Sequence, residues 1–177
     1  MANGFGHRKN VFSDYDWKNW MYHGRTSGLQ AIWFLSLLLL LAWMDGATKF
    51  VWLVPPFAAT LTILLLLPKS PIAQPIPVIV GPTLSACVGT AASLWVHGPF
   101  YAALVAGLMV IVLPLLKVYH PPGVALSMYP LLLRTNIAFP FVVVLPFTVV
   151  SVVSCSVLSK VAKSWPNYPL PLRHECH

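Results

Sequence analysis

Two proline-rich segments, each following a long apolar run, carry the residues best suited to hold a small ion. Proline has no backbone N–H and fixes φ near the helical value, so it interrupts a helix interior but can open a new helix. Each segment is therefore predicted to end one helix and start another, which leaves free N–H donors and the positive end of a helix dipole. The candidate site residues are Lys69, Ser70, Pro71, Gln74, Lys117, His120, Pro121, Pro122, Gly123 and Arg134.

The chemistry that these residue types favour is the binding of a small anion. An ion inside a bilayer needs fixed donors in place of its water, because an uncompensated charge in hydrocarbon is costly. We expect the amides of residues 72–74 and 123–125 to cradle the anion, with Ser70 and Gln74 adding side-chain hydrogen bonds. His120 would make binding responsive to pH, since histidine exchanges its proton near neutrality. The cations that would select negative charge are Lys69, Lys117 and Arg134.

Each candidate also has a purely structural interpretation. His120 could cap the preceding helix at the membrane interface, and Lys117 could extend its ammonium group to lipid phosphates. Arg134 could serve only to fix the topology. Ser70 is predicted to cap a short helix beginning at Pro71, whether or not it binds an ion.

The composition places these segments in a membrane. Of 177 residues, 58% are hydrophobic and only 8% are charged, and the mean hydropathy is +0.75. An all-α membrane protein is predicted, a polytopic bundle of about five transmembrane helices with two proline-broken or re-entrant segments. The net charge of +7 is scattered between apolar runs, so no nucleic-acid partner is expected.

Three regions follow from the distribution of polar residues. A polar N-terminal arm, residues 1–28, is too charged to be interpreted as a signal peptide. The transmembrane domain covers residues 29–158, and a polar tail covers 159–177. In the arm, Trp17, Trp20 and Tyr22 are predicted interfacial anchors.

Apolar length defines the spans, which are predicted at residues 29–44, 47–67, 78–96, 100–116 and 137–158, with a half-length segment at 123–133 that dips into the membrane. Several prolines should modify these helices. Pro55 and Pro56 are expected to kink or locally unwind the second span in its outer part, and Pro130 and Arg134-Thr-Asn136 to end the half-length segment. Pro140 and Pro146 are expected to bend the last span. Gly81, Ser85, Gly89 and Ser93 form a small-residue stripe that favours close helix contact, including contact with another copy of the chain.

Basic residues divide between the two sides of this five-span arrangement. One side would carry Arg8, Lys9, Lys18, Arg25, Lys69, Lys117 and Arg134, and the other Lys49, Lys160, Lys163 and Arg173. The positive-inside rule then places the N-terminus in the cytoplasm and the C-terminus outside. If residues 123–133 cross completely, the C-terminus moves to the cytoplasmic side.

At its two proline-rich segments the chain resembles the HPP family of small integral membrane proteins, named for a His-Pro-Pro motif. The residues carrying the resemblance are 120–123, His-Pro-Pro-Gly, and 70–75, Ser-Pro-Ile-Ala-Gln-Pro, followed by Gly81 and Ser85-Ala86. The resemblance implies a helical bundle and, for the few members with an assigned role, nitrite transport in cyanobacterial membranes and plastid envelopes. It thus implies a bacterial inner membrane or a plastid envelope as the location. Many members have an Arg-Asn pair where this chain has Ile76-Pro77, and Gly-His where it has Gly81-Pro82.

The sequence fits three classes of function to different degrees. A transporter or channel-like permease for a small inorganic anion, with nitrite favoured through the resemblance, fits the broken helices best. A membrane enzyme fits poorly, because the only acids are Asp14, Asp16, Asp45 and Glu175, all outside the predicted spans. A structural or sensory membrane module without transport activity is the alternative. No cofactor or metal is expected, although a metal at the His174-Glu-Cys-His tail is conceivable.

Overall fold

A computed structural model describes residues 27–170 and shows a bundle of six helices, with no strand among those residues. The helices are α1 (Gly28–Ala47), α2 (Pro55–Leu66), α3 (Pro75–Ala92), α4 (Pro99–Leu115), α5 (Pro121–Leu133) and α6 (Leu145–Val161). A π-helical turn, Pro140–Val144, runs directly into α6, and a short 3-10 turn, Pro71–Ala73, precedes α3. The predicted all-helical class is confirmed, but not the count of five spans. The arm with Trp17, Trp20 and Tyr22, and the tail beyond residue 170, lie outside the described residues.

Three of these helices are long and apolar enough to cross a membrane unaided: Gly28–Ala47, Pro75–Ala92 and the combined Pro140–Val161. The other three are apolar but shorter. The structure is that of an integral membrane protein with three full-length and three shorter apolar helices among the described residues.

Prolines begin helices here more often than they bend them. Helices α2, α3, α4 and α5 all start at a proline, where the missing N–H costs nothing because the first turn has no partner for it. Of the two alternatives predicted for Pro55-Pro56, the kink is therefore wrong, whereas local unwinding of the outer part of the span agrees with the structure. Residues 48–54 form a non-helical connection, in which Asp45 Oδ1 accepts hydrogen bonds from the amides of Trp52 (2.7 Å) and Leu53 (3.2 Å).

The later prolines also differ from expectation. Pro130 lies inside α5, which ends three residues later, where Arg134 adopts a left-handed conformation with φ of 50°. The bend expected at Pro140 and Pro146 takes the form of the π turn, a local widening that accommodates the N–H missing at Pro146.

Glycines on α3 set the closest helix contact in the bundle, which is with α5. A Cβ at Gly81 would meet the carbonyl of Val118 and the side chain of His120, and one at Gly89 would overlap the backbone of Ser127. Residues further along α3 contact residues further along α5, so the two helices are parallel. The predicted stripe thus packs within the chain, and a copy of the protein would have to bind another surface.

Both described ends of the chain lie on one side of the bundle. The Leu170 amide donates to Gln74 Oε1 at the start of α3 (3.1 Å), and Trp33 Nε1, early in α1, donates to Ser154 Oγ, late in α6 (3.0 Å). Because α3 and α5 are parallel, α5 continues to the opposite end of the bundle and does not turn back halfway. The described residues therefore follow the predicted alternative in which residues 123–133 cross completely, and not the five-span path with the two ends of the bundle on opposite sides.

This path of the chain changes which basic residues lie at the same end of the bundle. The two proline-rich segments interrupt the helices, and we call residues 70–75 the first break and residues 120–123 the second break. The end of the bundle that holds both breaks also carries Lys69, Lys117, Lys160 and Lys163, whereas the other end carries Lys49 and Arg134. Arg134 was predicted to lie on the same side as Lys69 and Lys117, which the structure contradicts. The positive-inside rule predicts that the end with the breaks faces the cytoplasm.

We expect single cysteines at positions 69 and 163, introduced into a chain without native cysteines, to be labelled from the same side of sealed vesicles. Cysteines at 49 and 134 should be labelled only from the opposite side. Impermeant maleimide applied before and after permeabilisation makes the measurement. Labelling of 134 and 163 from one side would contradict the path of α5.

Gly89→Ala should lower the melting temperature in detergent, because its Cβ would collide with the Ser127 backbone. Overpacking of this kind costs roughly 1–3 kcal/mol. Gly107→Ala is the matched control, since a Cβ there meets nothing within 4 Å in α4 and alanine favours the helix. Equal melting temperatures for the two variants would contradict the close packing of α3 on α5.

Candidate functional site

His120 joins the two proline breaks inside the bundle. It is fully buried, its Nδ1 lies 2.8 Å from the carbonyl oxygen of Ile72 in the first break, and its Nε2 lies 3.0 Å from Thr60 Oγ1 on α2. A carbonyl can only accept, so Nδ1 carries the proton that bonds Ile72. The second break thus holds the first through one histidine side chain.

Thr60 gives this histidine an adaptable partner. Its hydroxyl also lies 3.1 Å from the carbonyl oxygen of Pro56, and it has only one proton to donate. When Nε2 is bare, Thr60 can donate to it. When Nε2 carries a proton, Thr60 can accept from Nε2 and donate to Pro56. Both protonation states of the imidazole therefore find hydrogen-bond partners.

The break at His120 is recessed from the end of the bundle. His120 packs beside Gly81, which lies six residues beyond the start of α3 at Pro75. At a rise of 1.5 Å per residue this places His120 about 9 Å deeper than that start. The structural alternative for His120 was a cap at the membrane interface. Its side chain instead lies within the helical bundle.

Gln74 braces the first break. Its Nε2 donates to the carbonyls of Pro68 and Ser70, both at 3.0 Å, and its Oε1 accepts from the Leu170 amide. All of its hydrogen-bonding groups thus face chain segments at this end of the bundle. Gln74 positions the break and does not extend toward His120.

The predicted cradle of free amides is not formed as expected. The amide of Ala73 donates to Ser70 (3.0 Å), that of Gln74 to Pro71 (3.3 Å), and that of Gly123 to His120 (2.8 Å). At each break, tight turns form hydrogen bonds with the backbone N–H groups that were expected to be free at the start of the following helix. Ser70 occupies the capping position at Pro71 with its backbone, but its buried side chain makes no capping hydrogen bond.

The predicted cations do not converge on this site. Lys69, Lys117 and Arg134 are all exposed, and Arg134 lies at the opposite end of the bundle. Among the described residues, the buried polar set contains no Asp, Glu, Lys or Arg. The second break contributes Pro122 and Gly123 to the core, with Pro121 half-buried beside His120, while Pro71 in the first break is exposed.

A groove between α2 and α5 lies next to His120. Its volume is about 690 Å³, and its walls are largely apolar. It is lined by four prolines, two at the start of α2 and two at the start of α5 next to His120 in the chain, and by Leu132 and Leu133 at the end of α5. The prolines are Pro55, Pro56, Pro121 and Pro122.

The sequence-based prediction missed several residues that build the site. Thr60 and the Ile72 carbonyl bond His120 but carry no motif, and Thr60's only signal is a hydroxyl within an apolar run. Trp165 and Tyr168, assigned to a polar tail, are buried. Trp165 packs edge-on to Trp33 with ring centroids 5.4 Å apart, so the segment after α6 covers this end of the bundle.

Metal binding finds no support in the described residues, which contain no group of three or more His, Cys, Asp or Glu side chains placed to hold an ion. The His174-Glu-Cys-His tail lies outside them. The structure therefore leaves His120 as the titratable side chain at the junction of the breaks.

Comparison with known protein families shows which family the chain is similar to. A family model described as HPP, transmembrane region, matches residues 17–169. No curated protein and no solved structure matches the chain. The matched range includes both breaks and every described helix.

Gln74→Leu should destabilise the protein, because it leaves the buried Pro68 carbonyl without its side-chain partner and removes the hydrogen bonds to the Ser70 carbonyl and the Leu170 amide. Each buried group left unsatisfied costs about 1–3 kcal/mol. Thermal unfolding in detergent measures the loss, and protease digestion should show earlier release of the C-terminal segment. Thr62→Val is the control, because the exposed Thr62 hydroxyl bonds only its own helix. An unchanged melting temperature for Gln74→Leu would show that Gln74 is not the brace.

Proposed function

The chain belongs to the HPP transmembrane-region family, and from that premise and the geometry around His120 we propose that it is a permease for a small inorganic anion. Nitrite is the favoured substrate, through the resemblance of the two proline segments to those of the family. The meeting of two interrupted segments at a buried histidine is the observation that carries the proposal.

Broken helices inside a membrane bundle support a transport role. Backbone groups that leave helical pairing must find other partners at a depth where water is scarce, so such breaks persist mainly where they line a binding site or passage. Buried ionisable residues in membrane spans are likewise concentrated at functional sites. His120 combines both features, since it is ionisable and its break is recessed.

The distribution of unsatisfied hydroxyls also supports a passage near α3. The side-chain oxygens of Ser85 and Thr90 are buried and have no hydrogen-bond partner among the described residues. Ser85 lies one turn beyond Gly81, on the face that packs toward α5. A small polar substrate moving past His120 would find these hydroxyls ready to bond it.

In this proposal the described residues represent a state that is closed at the end that holds the breaks. The first break covers His120 through the Ile72 carbonyl, and Gln74 anchors that break to the segment after α6. In this proposal, release of the Ile72–His120 hydrogen bond opens the site to the predicted cytoplasmic side. The groove between α2 and α5 includes Pro121 and Pro122, which follow His120 in the chain.

The competing function is a structural or sensory membrane module. It is favoured by the satisfied hydrogen bonds around His120, since both ring nitrogens already have partners. The two functions differ in a direct way, because a module has no need to pass ions.

Purified protein in liposomes should admit nitrite faster than protein-free liposomes do, and His120→Ala should abolish the difference. His97→Ala is the matched control, because His97 is exposed in the α3–α4 connection and its loss should leave uptake unchanged. Nitrite trapped by an internal colorimetric assay gives the rate. Wild-type liposomes that exclude nitrite, nitrate and chloride alike would refute the permease and favour the module.

A further inference from the structure

We propose that the substrate passes His120 as a neutral acid, with His120 donating a proton to the anion and taking a new proton from the entry side afterwards. This inference rests on the proposed permease function and narrows its substrate class to anions of weak acids, such as nitrite. It follows from three features of the described residues: the absence of a buried fixed cation, the dual partners of Thr60 and the apolar groove.

The first feature is the charge of the interior. Lys69, Lys117 and Arg134 are exposed, and the described residues contain no buried lysine or arginine. A bare anion in such an interior lacks a compensating charge, which is very costly in a low-dielectric medium. Compensation can come instead from a proton carried by His120.

The groups around His120 leave it as the only strong candidate for this proton. Helices α2 to α5 contain no Asp, Glu, Lys, Arg or second His. The titratable groups on these helices are Cys87 on α3, Tyr101 on α4 and Tyr129 on α5. On the connections next to His120 they are Lys69, Lys117 and Tyr119, and no carboxylate stands among them to hold a permanent imidazolium.

The second feature is the switchable hydroxyl of Thr60. With the imidazole protonated, Nε2–H donates to Thr60 Oγ1 and the threonine donates to the Pro56 carbonyl. With the imidazole neutral, the threonine hydroxyl turns and donates to Nε2. Nδ1 keeps its bond to Ile72 in both states. His120 can therefore gain and lose a proton at Nε2 without a buried nitrogen being left unpaired.

The third feature is the groove that reaches the histidine's flanking prolines. Its walls are largely apolar, so they would exclude a hydrated anion and admit a small neutral molecule. An anion that cannot be protonated under cellular conditions, such as nitrate or chloride, would gain nothing from His120.

The proton transfer is balanced. The Nε2–H bond of the imidazolium breaks, an O–H bond forms on a nitrite oxygen, and nitrous acid and a neutral imidazole result. On the other side nitrous acid leaves and gives its proton to water, and the neutral imidazole takes its next proton at Nε2 from the entry side. The net movement is one nitrite and one proton in the same direction, with no change in oxidation state.

Wild-type protein in liposomes tests this directly. A pH-sensitive dye inside the vesicles should report one proton entering with each nitrite, above the background of protein-free liposomes. The rate should not respond to a membrane potential set with potassium and valinomycin. Formate, a weak-acid anion of similar size, should enter by the same route, whereas nitrate and chloride should be excluded.

The variants keep the test specific to the Nε2 proton. His120→Asn retains a side-chain N–H for the Ile72 carbonyl but removes the titratable nitrogen, and should reduce coupled uptake to the protein-free level. Thr60→Val should slow uptake, and Thr60→Ser, which keeps the hydroxyl, should restore it.

Two results would overturn the inference while leaving the permease in place. One is nitrite uptake that follows the membrane potential without proton entry, and the other is nitrate entering as fast as nitrite. A wild-type protein that passes no nitrite would instead refute the permease itself.

Discussion

The hydrogen bond from His120 Nδ1 to the Ile72 carbonyl is the interaction on which the rest of the structure depends. In a bilayer, every backbone group that leaves helical pairing must be satisfied within the protein. The first break exposes a carbonyl, and the second break supplies the donor for it across 2.8 Å. Two interruptions that would each be costly alone thereby stabilise one another, and a titratable side chain is placed in the interior.

The packing of α3 against α5 determines how deep this junction lies. Glycines at 81 and 89 let the α5 backbone approach α3 closely, and Gly123 returns the contact, since a Cβ there would come within 3.0 Å of Pro82 N. A larger side chain at any of these positions would push α5 outward and carry His120 away from Thr60 and Ile72. The small-residue stripe is therefore part of the site, although it carries no chemical group of its own.

The sequence predicted the parts of the fold that depend on local chemistry. Apolar runs located the helices, prolines marked the breaks, and the His-Pro-Pro run identified the central residue. It could not predict how the breaks meet. The amides of Ala73, Gln74 and Gly123 were expected to be free for a ligand, but turn geometry, which depends on the whole segment, occupies them.

Longer-range arrangement was harder to predict for a related reason. The number of crossings depended on whether α5 returns through the bundle, and that is decided by glycine contacts across α3 and not by the length of α5. The burial of Trp165 and Tyr168 could not be predicted for the same reason, because their partners, such as Trp33, lie far away in the sequence. The five-span path also placed Arg134 on the wrong side of the bundle.

The most direct test of the central claim is solid-state ¹⁵N NMR of histidine-labelled protein in lipid bilayers at mildly alkaline pH. Our account predicts one neutral imidazole with its proton on Nδ1, slow to exchange with deuterated water, and missing from the spectrum of His120→Asn. A spectrum in which every histidine exchanges rapidly, or in which the His120 proton lies on Nε2, would contradict it.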